Sequence, residues 1–362
     1  SAAVVATVGT YSGPVGTVLE PIVSGARLWV AMINQKGGLN GHPVKLLTYD
    51  DGADPARHRA QLQQAVEKDK AIAFLVNGEV ITGRQSVDYI DSHGVPVVGG
   101  DGGEEWAYSS PLYFPQMSTG TSMYRGWIDS VAGQVVGRGL KRLGSAICVE
   151  AAECDTFDRV THDEALARGL DHVYRARATI TQPDYTAECL AARNAGVEVM
   201  YLILDQNSIG RFATSCARQG YRPLFAFPSQ GVSDYQKDDP NLAGAVANAM
   251  TFPYFQTGTP ATDEFQSALR AFGRQIRLGN GVSHGWTAGK LLEKAGARLP
   301  EPPSSAAILD GLWSIDRDTL GGLTLPLTFA RNQPPTRASC WFDLTIAEHA
   351  WSSPDRYRLH CR

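Results

Sequence analysis

The sequence predicts an α/β protein of two doubly wound parallel-sheet lobes, and three observations carry that prediction. Short β-branched runs alternate with helical stretches through the N-terminal third. The same alternation restarts after residue 143. The strand-like runs also lack strict polar alternation, as expected where helices cover both faces of a parallel sheet. A chain of 362 residues suits two domains, and a content of 43% hydrophobic and 19% charged residues supplies a core and excludes a disordered chain.

Taken in order, the first unit runs from a strand at Val4 to Val8, through a helix at Pro21 to Gln35, to a strand at Val44 to Tyr49. A helix at Pro55 to Asp69, a strand at Ile72 to Val76, a helix at Arg84 to Ser92 and a strand at Val95 to Val98 complete it. Asp54-Pro55 is a capping residue followed by proline in the first helical turn, and Gly37-Gly38 ends the preceding helix. A long segment, Thr119 to Leu143, separates this unit from the next. The second unit reads as Ser145 to Val149, Thr156 to Arg168, His172 to Ala178, Tyr185 to Ala195, Val197 to Leu204, Ser208 to Gln219 and Leu224 to Phe227. Helical patterns return at Asp263 to Leu278, Ser283 to Ala297 and Ser304 to Ile315, and the tail is strand-like at Leu323 to Phe329 and Cys340 to Ile346. Sheets wound in this way bind ligands at the carboxyl ends of their strands.

Charge and apolar runs narrow the function. A net charge of −4 and a pI near 6.1 argue against nucleic acid as a partner, because phosphate neutralisation needs a basic stripe. The longest uncharged stretch, Pro240 to Thr262, contains Asn241, Asn248, Pro253, Gln256 and Pro260 and is not a membrane helix. Ser1 leads almost directly into the first strand, as expected of a mature or trimmed chain.

Several segments carry a family resemblance. Val8-Gly9-Thr10-Tyr11-Ser12-Gly13-Pro14, Ile33 to Gly41 and Tyr49-Asp50-Asp51-Gly52-Ala53-Asp54-Pro55 resemble the leucine/isoleucine/valine-binding proteins of bacterial ABC importers. Asp184-Tyr185, Ala217-Arg218-Gln219-Gly220 and Gly285-Trp286-Thr287-Ala288 follow in the same order. The resemblance implies a type I periplasmic binding protein, with two lobes joined by three crossover strands and closing on a solute. By position the crossovers fall near Pro115 to Ser118, Thr251 to Phe255 and Leu320 to Leu325. The N-lobe is then residues 1–117 plus 253–321, and the C-lobe 118–252 plus 322–362. It further implies a non-enzymatic, extracytoplasmic receptor, membrane-tethered before trimming, that acts as a monomer with a small-molecule ligand and an ABC permease as partners. No cofactor is implied.

On that fold the candidate ligand-binding residues are Tyr11, Ser12, Gly78, Glu79, Val80, Asp101, Gly103, Glu104, Phe157, Asp205, Gln206 and Gln230. The amino-acid-binding relatives carry a serine, a threonine and an acidic residue where this chain has Val80, Gly103 and Gln230. A valine cannot donate to a carboxylate, and a neutral amide cannot balance an ammonium. A plain branched-chain amino acid therefore fits poorly unless Asp101, Glu104, Asp205 or Glu79 compensates. Tyr11, Trp106, Phe157 and Tyr254 are candidate aromatic walls.

Competing readings are weaker. A ligand sensor of the same fold would share every feature above. Gly99-Gly100-Asp101-Gly102-Gly103 lacks the Lys-Ser/Thr ending of a phosphate loop. Gly281-Val282-Ser283-His284-Gly285 matches a nucleophile elbow, with Asp310, Asp343 and His349 downstream, yet no buried strand precedes it, and Ser283 reads as a helix N-cap. His162, Asp163 and His172 do not make a metal site, since adjacent helix residues diverge by about 100°.

Six cysteines, all in the second half, permit fifteen pairings. Cys148 and Cys154 flank one short loop. Cys189 and Cys216 sit on successive helices that right-handed winding places side by side. Cys340 and Cys361 tie the tail to the last long strand. Those three bonds are expected, all within the C-lobe, and they argue for an oxidising compartment.

Overall fold

The computed structural model describes residues 1–362. In chain order the first elements are β1 (Ala3–Gly9), α1 (Gly13–Gln35), β2 (Val44–Asp50), α2 (Pro55–Gln63), β3 (Ala73–Asn77), α3 (Val87–His93), β4 (Val97–Gly100) and β5 (Tyr113–Phe114). Next come α4 (Gly120–Val135), β6 (Arg142–Ile147), α5 (Glu153–Ala165), β7 (Asp171–Arg177), α6 (Thr186–Asn194), β8 (Val199–Ile203), α7 (Gln206–Arg218), β9 (Leu224–Phe227) and β10 (Val246–Ala249). The last are α8 (Pro260–Phe272), α9 (Asn280–Ala295), α10 (Ser305–Trp313), β11 (Cys340–Ala347), β12 (Ala350–Ser352) and β13 (Leu359–Cys361).

The chain divides into two compact units, residues 1–120 with 254–338 and residues 121–253 with 339–362. Unit 1 holds a five-stranded parallel sheet in the order β2-β1-β3-β4-β5. Its inner strands β1, β3 and β4 are almost wholly buried, which is why they carry no polar alternation. Helix α1 is long and apolar enough to cross a membrane by composition alone, but it lies against α9, and 56% of its apolar window is buried within the protein.

The α1–α9 contact explains the elbow-like sequence. A Cβ at Gly285 would stand 1.7 Å from the carbonyl oxygen of Ile22 on α1, so only glycine lets the two backbones meet. Ser283 is not the cap expected from sequence. It lies inside α9, fully buried, and its hydroxyl donates to the Asn280 carbonyl at 2.9 Å.

Unit 2 holds an eight-stranded sheet in the order β12-β11-β10-β9-β8-β6-β7, with β13 also paired to β11. Strands β6 to β10 run parallel, whereas β11 is antiparallel to β10, β12 and β13. The segment Thr119 to Leu143 contains α4, whose apolar side buries Met123, Trp127, Ile128 and Val131.

Two expectations about the tail differ from the structure. Leu323 to Phe329 forms no strand, only an isolated bridge between Leu327 and Asp318. The third passage between units falls after Ala338 instead of near Leu325. Unit 1 retains residues 322–338 because Thr324 donates to the Gln116 carbonyl at 2.5 Å, Phe329 packs edge-on to Phe114, and Arg331 pairs with Asp310.

All six cysteines lie in unit 2, bonded as Cys148–Cys154, Cys189–Cys216 and Cys340–Cys361. Cys189 on α6 meets Cys216 on α7, two successive helices that pack together.

Candidate functional site

In each sheet the parallel strands end on one edge, and the loops beyond those ends hold most of the expected ligand residues, with Gln206 opening α7 and Phe157 lying within α5. The rim of unit 1 follows β1, β3 and β4. Tyr11 turns its phenol inward, where the hydroxyl accepts the Gly78 N–H at 3.0 Å and lies 2.5 Å from Thr7 Oγ1. Burial pushes that phenol above its ordinary value. Gly78 must be glycine there, since a Cβ would sit 2.8 Å from the Tyr11 ring. Ser12 is exposed, and its neighbour Tyr11 donates its backbone N–H to Asp50 at 3.1 Å.

Glu79 points into the protein instead of outward. It is buried, and its carboxylate lies 3.0 Å from Nε2 of His58. His58 Nδ1 lies 2.9 Å from Asp51, which also accepts from Thr10 at 2.8 Å, from Thr82 at 2.6 Å and from the Ala53 N–H at 2.9 Å. Burial alone would lower the His58 pKa, but hydrogen bonds to Asp51 and Glu79 outweigh it and raise it to about 9. Burial likewise works against the Asp51 carboxylate, while the donors His58, Thr82 and Thr10 bring its pKa below the usual value. The result is a buried imidazolium between two carboxylates, and it ties β2, α2 and the loop after β3 together. Sequence reasoning missed His58. The available signal was its position four residues before Leu62, the two being the buried residues of an otherwise polar α2.

The loop after β4 gathers Asp101, Gly103 and Glu104. Glu104 accepts from the Gly102 N–H at 3.0 Å and from the Tyr108 hydroxyl at 3.3 Å. Burial, then the charges of Glu104, Asp101 and Glu79, hold the Tyr108 phenol well above its ordinary value. Gly99 opens this loop with φ +72, and a Cβ there would meet Ala288 of α9 at 2.3 Å. Its glycine serves helix packing. Val80 is half-buried in the turn before Thr82.

The rim of unit 2 follows β6, β8 and β9. Asp205 caps α7, accepting from the Asn207 and Ser208 N–H groups at 3.2 Å. Gln206 and Gln230 are brought together, Gln206 Nε2 donating to the Gln230 carbonyl at 3.2 Å. Gln230 Nε2 in turn approaches the Met123 sulfur at 3.7 Å. Phe157 packs edge-on to Tyr124 at 4.5 Å, and Trp127 lies 5.5 Å from it. His162 and His172 approach within 3.3 Å, and Asp163 is exposed.

The sequence profile of the family described as Periplasmic binding protein matches residues 3–340. The Leu/Ile/Val-binding protein of Escherichia coli (strain K12) is 23% identical over 337 residues, covering 90% of this chain and 86% of that protein. The fold is shared with a substrate-binding periplasmic protein from Ralstonia solanacearum at a TM-score of 0.81 and 19% identity, covering 99% of each chain. It is also shared with an R. palustris ABC-transporter solute-binding protein solved in complex with benzoate, at a TM-score of 0.77 and 14% identity, over 98% of this chain and 96% of that one. With its two parallel-sheet lobes, the chain belongs to the periplasmic binding protein family, as an extracytoplasmic type I solute-binding protein of the kind that serves ABC transporters.

Proposed function

We propose that this chain delivers a small polar or amphipathic organic molecule, other than a plain branched-chain amino acid, to an ABC permease, acting as a monomer. The observation that supports this reading is the unit 2 rim, where Gln230, joined to Gln206 at 3.2 Å, is a neutral amide at the position that carries an acidic residue in the amino-acid-binding relatives. An ammonium buried there without an anionic partner is costly. In unit 1, Glu79 is already paired with His58, and the Val80 side chain offers no donor. Asp101, Gly103, Glu104, Gln206, Gln230 and Phe157 are the proposed ligand contacts, while Tyr11, Gly78, Glu79 and Asp205 shape the loops that carry them. Benzoate bound by the R. palustris relative supports a fold that accepts ligands without an ammonium group.

A thermal-shift screen over amino acids, amides, aromatic acids and polyols tests the reading, since a ligand at 100 times its dissociation constant stabilises by roughly 2.7 kcal/mol. Leucine, isoleucine and valine should leave the midpoint unmoved. A saturable valine shift would overturn the ligand assignment. Solute uptake that survives deletion of the gene would overturn the transport role.

A further inference from the structure

Outside the rims, one cluster of metal-ligating side chains lies in unit 2 near the C-terminus. Asp343 is on β11, His360 on β13, and Asp355 in the turn between β12 and β13. Their ligand atoms lie within 4.8 Å of one another. We propose that Asp343, Asp355 and His360 form a binding site for a divalent first-row transition ion.

Strand pairing builds the cluster. In the antiparallel β11–β13 ladder Cys340 opposes Cys361 and Trp341 opposes His360, and the Cys340–Cys361 bond closes the end of that ladder. Trp341 and Asp343 are two residues apart on one strand, so both face the side on which His360 stands. The imidazole stacks on the Trp341 indole, with centroids 5.7 Å apart and planes at 13°. These contacts direct Nε2 toward the two carboxylates.

Each carboxylate is also oriented by its other oxygen. Asp343 Oδ1 accepts from Ser130 at 2.6 Å and from the Trp341 indole N–H at 3.1 Å, leaving Oδ2 3.4 Å from His360 Nε2. Asp355 Oδ1 accepts from the Ser353 hydroxyl at 3.0 Å, and Asp355 Oδ2 pairs with the same Nε2. The turn is pinned by the Tyr357 N–H donating to Ser353 at 2.7 Å. Three donors therefore converge, the two carboxylates held by hydrogen bonds to their other oxygens and the imidazole by its stack on Trp341.

The dimensions and the charge fit. An ion about 2.1 Å from each of two donors in tetrahedral array requires them to be about 3.4 Å apart, which is the separation of Asp343 Oδ2 and His360 Nε2, whereas Asp355, paired directly with that nitrogen, has to turn aside to admit the ion. Two carboxylates face a single imidazole, an excess of acidic donors that suits a dication. His360 and Asp355 are each about a quarter exposed (26%), so an ion and its remaining water ligands have access. One nitrogen and two oxygens suit zinc or manganese better than a thiolate-seeking ion.

Isothermal titration of the chelator-stripped, disulfide-intact chain with zinc chloride, and separately with manganese chloride, tests the site. One equivalent of either ion should bind saturably, and Asp355→Asn and His360→Gln should each weaken it at least tenfold. Both variants should keep the wild-type circular dichroism, because the β11–β13 disulfide remains. A His162→Gln control should leave binding unchanged. Binding of neither ion overturns the proposal. So does binding that survives both cluster substitutions or is lost with His162, which would place the ion at the His162–His172 pair.

Discussion

His58 Nε2 lies 3.0 Å from the Glu79 carboxylate, and both side chains are buried beneath the loop that follows β3. On the other side of the ring, Asp51 is 2.9 Å from Nδ1. One cation thus holds two buried anions together, and its removal leaves them facing each other. Replacing His58 with leucine should cost about 3–5 kcal/mol, the range seen when one partner of a buried ion pair is deleted. Urea unfolding at pH 7 measures it. A loss below about 1 kcal/mol would show that the two carboxylates do not depend on the imidazolium.

The same network sets a pH dependence with a definite sign. The His58 pKa is raised from 6.5 to about 9 on folding, so its stabilisation is fully present below pH 6.5 and is lost as pH rises through 9. Asp51 is shifted the other way, so its contribution is present above the ordinary value of 3.8 and is lost as pH falls through its depressed pKa. Urea midpoints from pH 6 to pH 10 should fall in the wild type and fall less in His58→Gln. Parallel curves would count against a buried imidazolium.

The α1–α9 contact gives a prediction about the elbow-like sequence. Gly285→Ala places a methyl group 1.7 Å from the Ile22 carbonyl oxygen and must push the helices apart. A loss of about 1–3 kcal/mol is expected, as for other overpacked cores. Ser283→Ala removes one local hydrogen bond and should cost about 1 kcal/mol. Scanning calorimetry of the two variants should rank them in that order.

The Tyr11 hydroxyl supports the loop after β3. Tyr11→Phe takes away the acceptor of the Gly78 N–H. The expected loss is about 1–3 kcal/mol, the cost of leaving a buried donor unsatisfied. An unchanged unfolding midpoint would mean that water replaces the hydroxyl and that the loop needs no such support.

Thiol titration of the denatured, unreduced protein should find no reactive cysteine, since all six are bonded in pairs. The Cys189→Ala/Cys216→Ala double variant should lose about 3 kcal/mol, because the bond closes a loop of intermediate length. Two reactive thiols in the wild type would mean that one bridge is absent.

Much of the fold was legible because its signals are local. Buried parallel strands advertise themselves by unbroken apolar runs such as Ala71 to Val76, and helix starts by caps such as Asp54-Pro55. Even the disulfides followed from local order, since α6 and α7 must lie side by side if the winding is right-handed. Leu323 to Phe329 was misleading for the opposite reason. Its apolar residues are buried by packing against Phe114 and around Gln116, distant in sequence, without a strand partner to complete a ladder.

The site was legible only in outline. Sequence placed the loops at the carboxyl ends of the strands and the departures at Val80, Gly103 and Gln230, since both follow from the order of elements. Which side chains face outward was decided by tertiary structure. Glu79 is a candidate acid in sequence, yet it is drawn inward by His58, a residue 21 positions earlier. Gln206 and Gln230 are joined, Asp205 is spent on a helix cap, and Asp343 meets His360, all through contacts that local pattern does not encode. The sequence by itself determined the winding of the two sheets, because that depends on neighbouring elements, and it narrowed the cysteine pairing that the structure then shows. The charge balance of the rims was left to tertiary structure, because a buried carboxylate turns toward whichever cation the packed fold brings within reach.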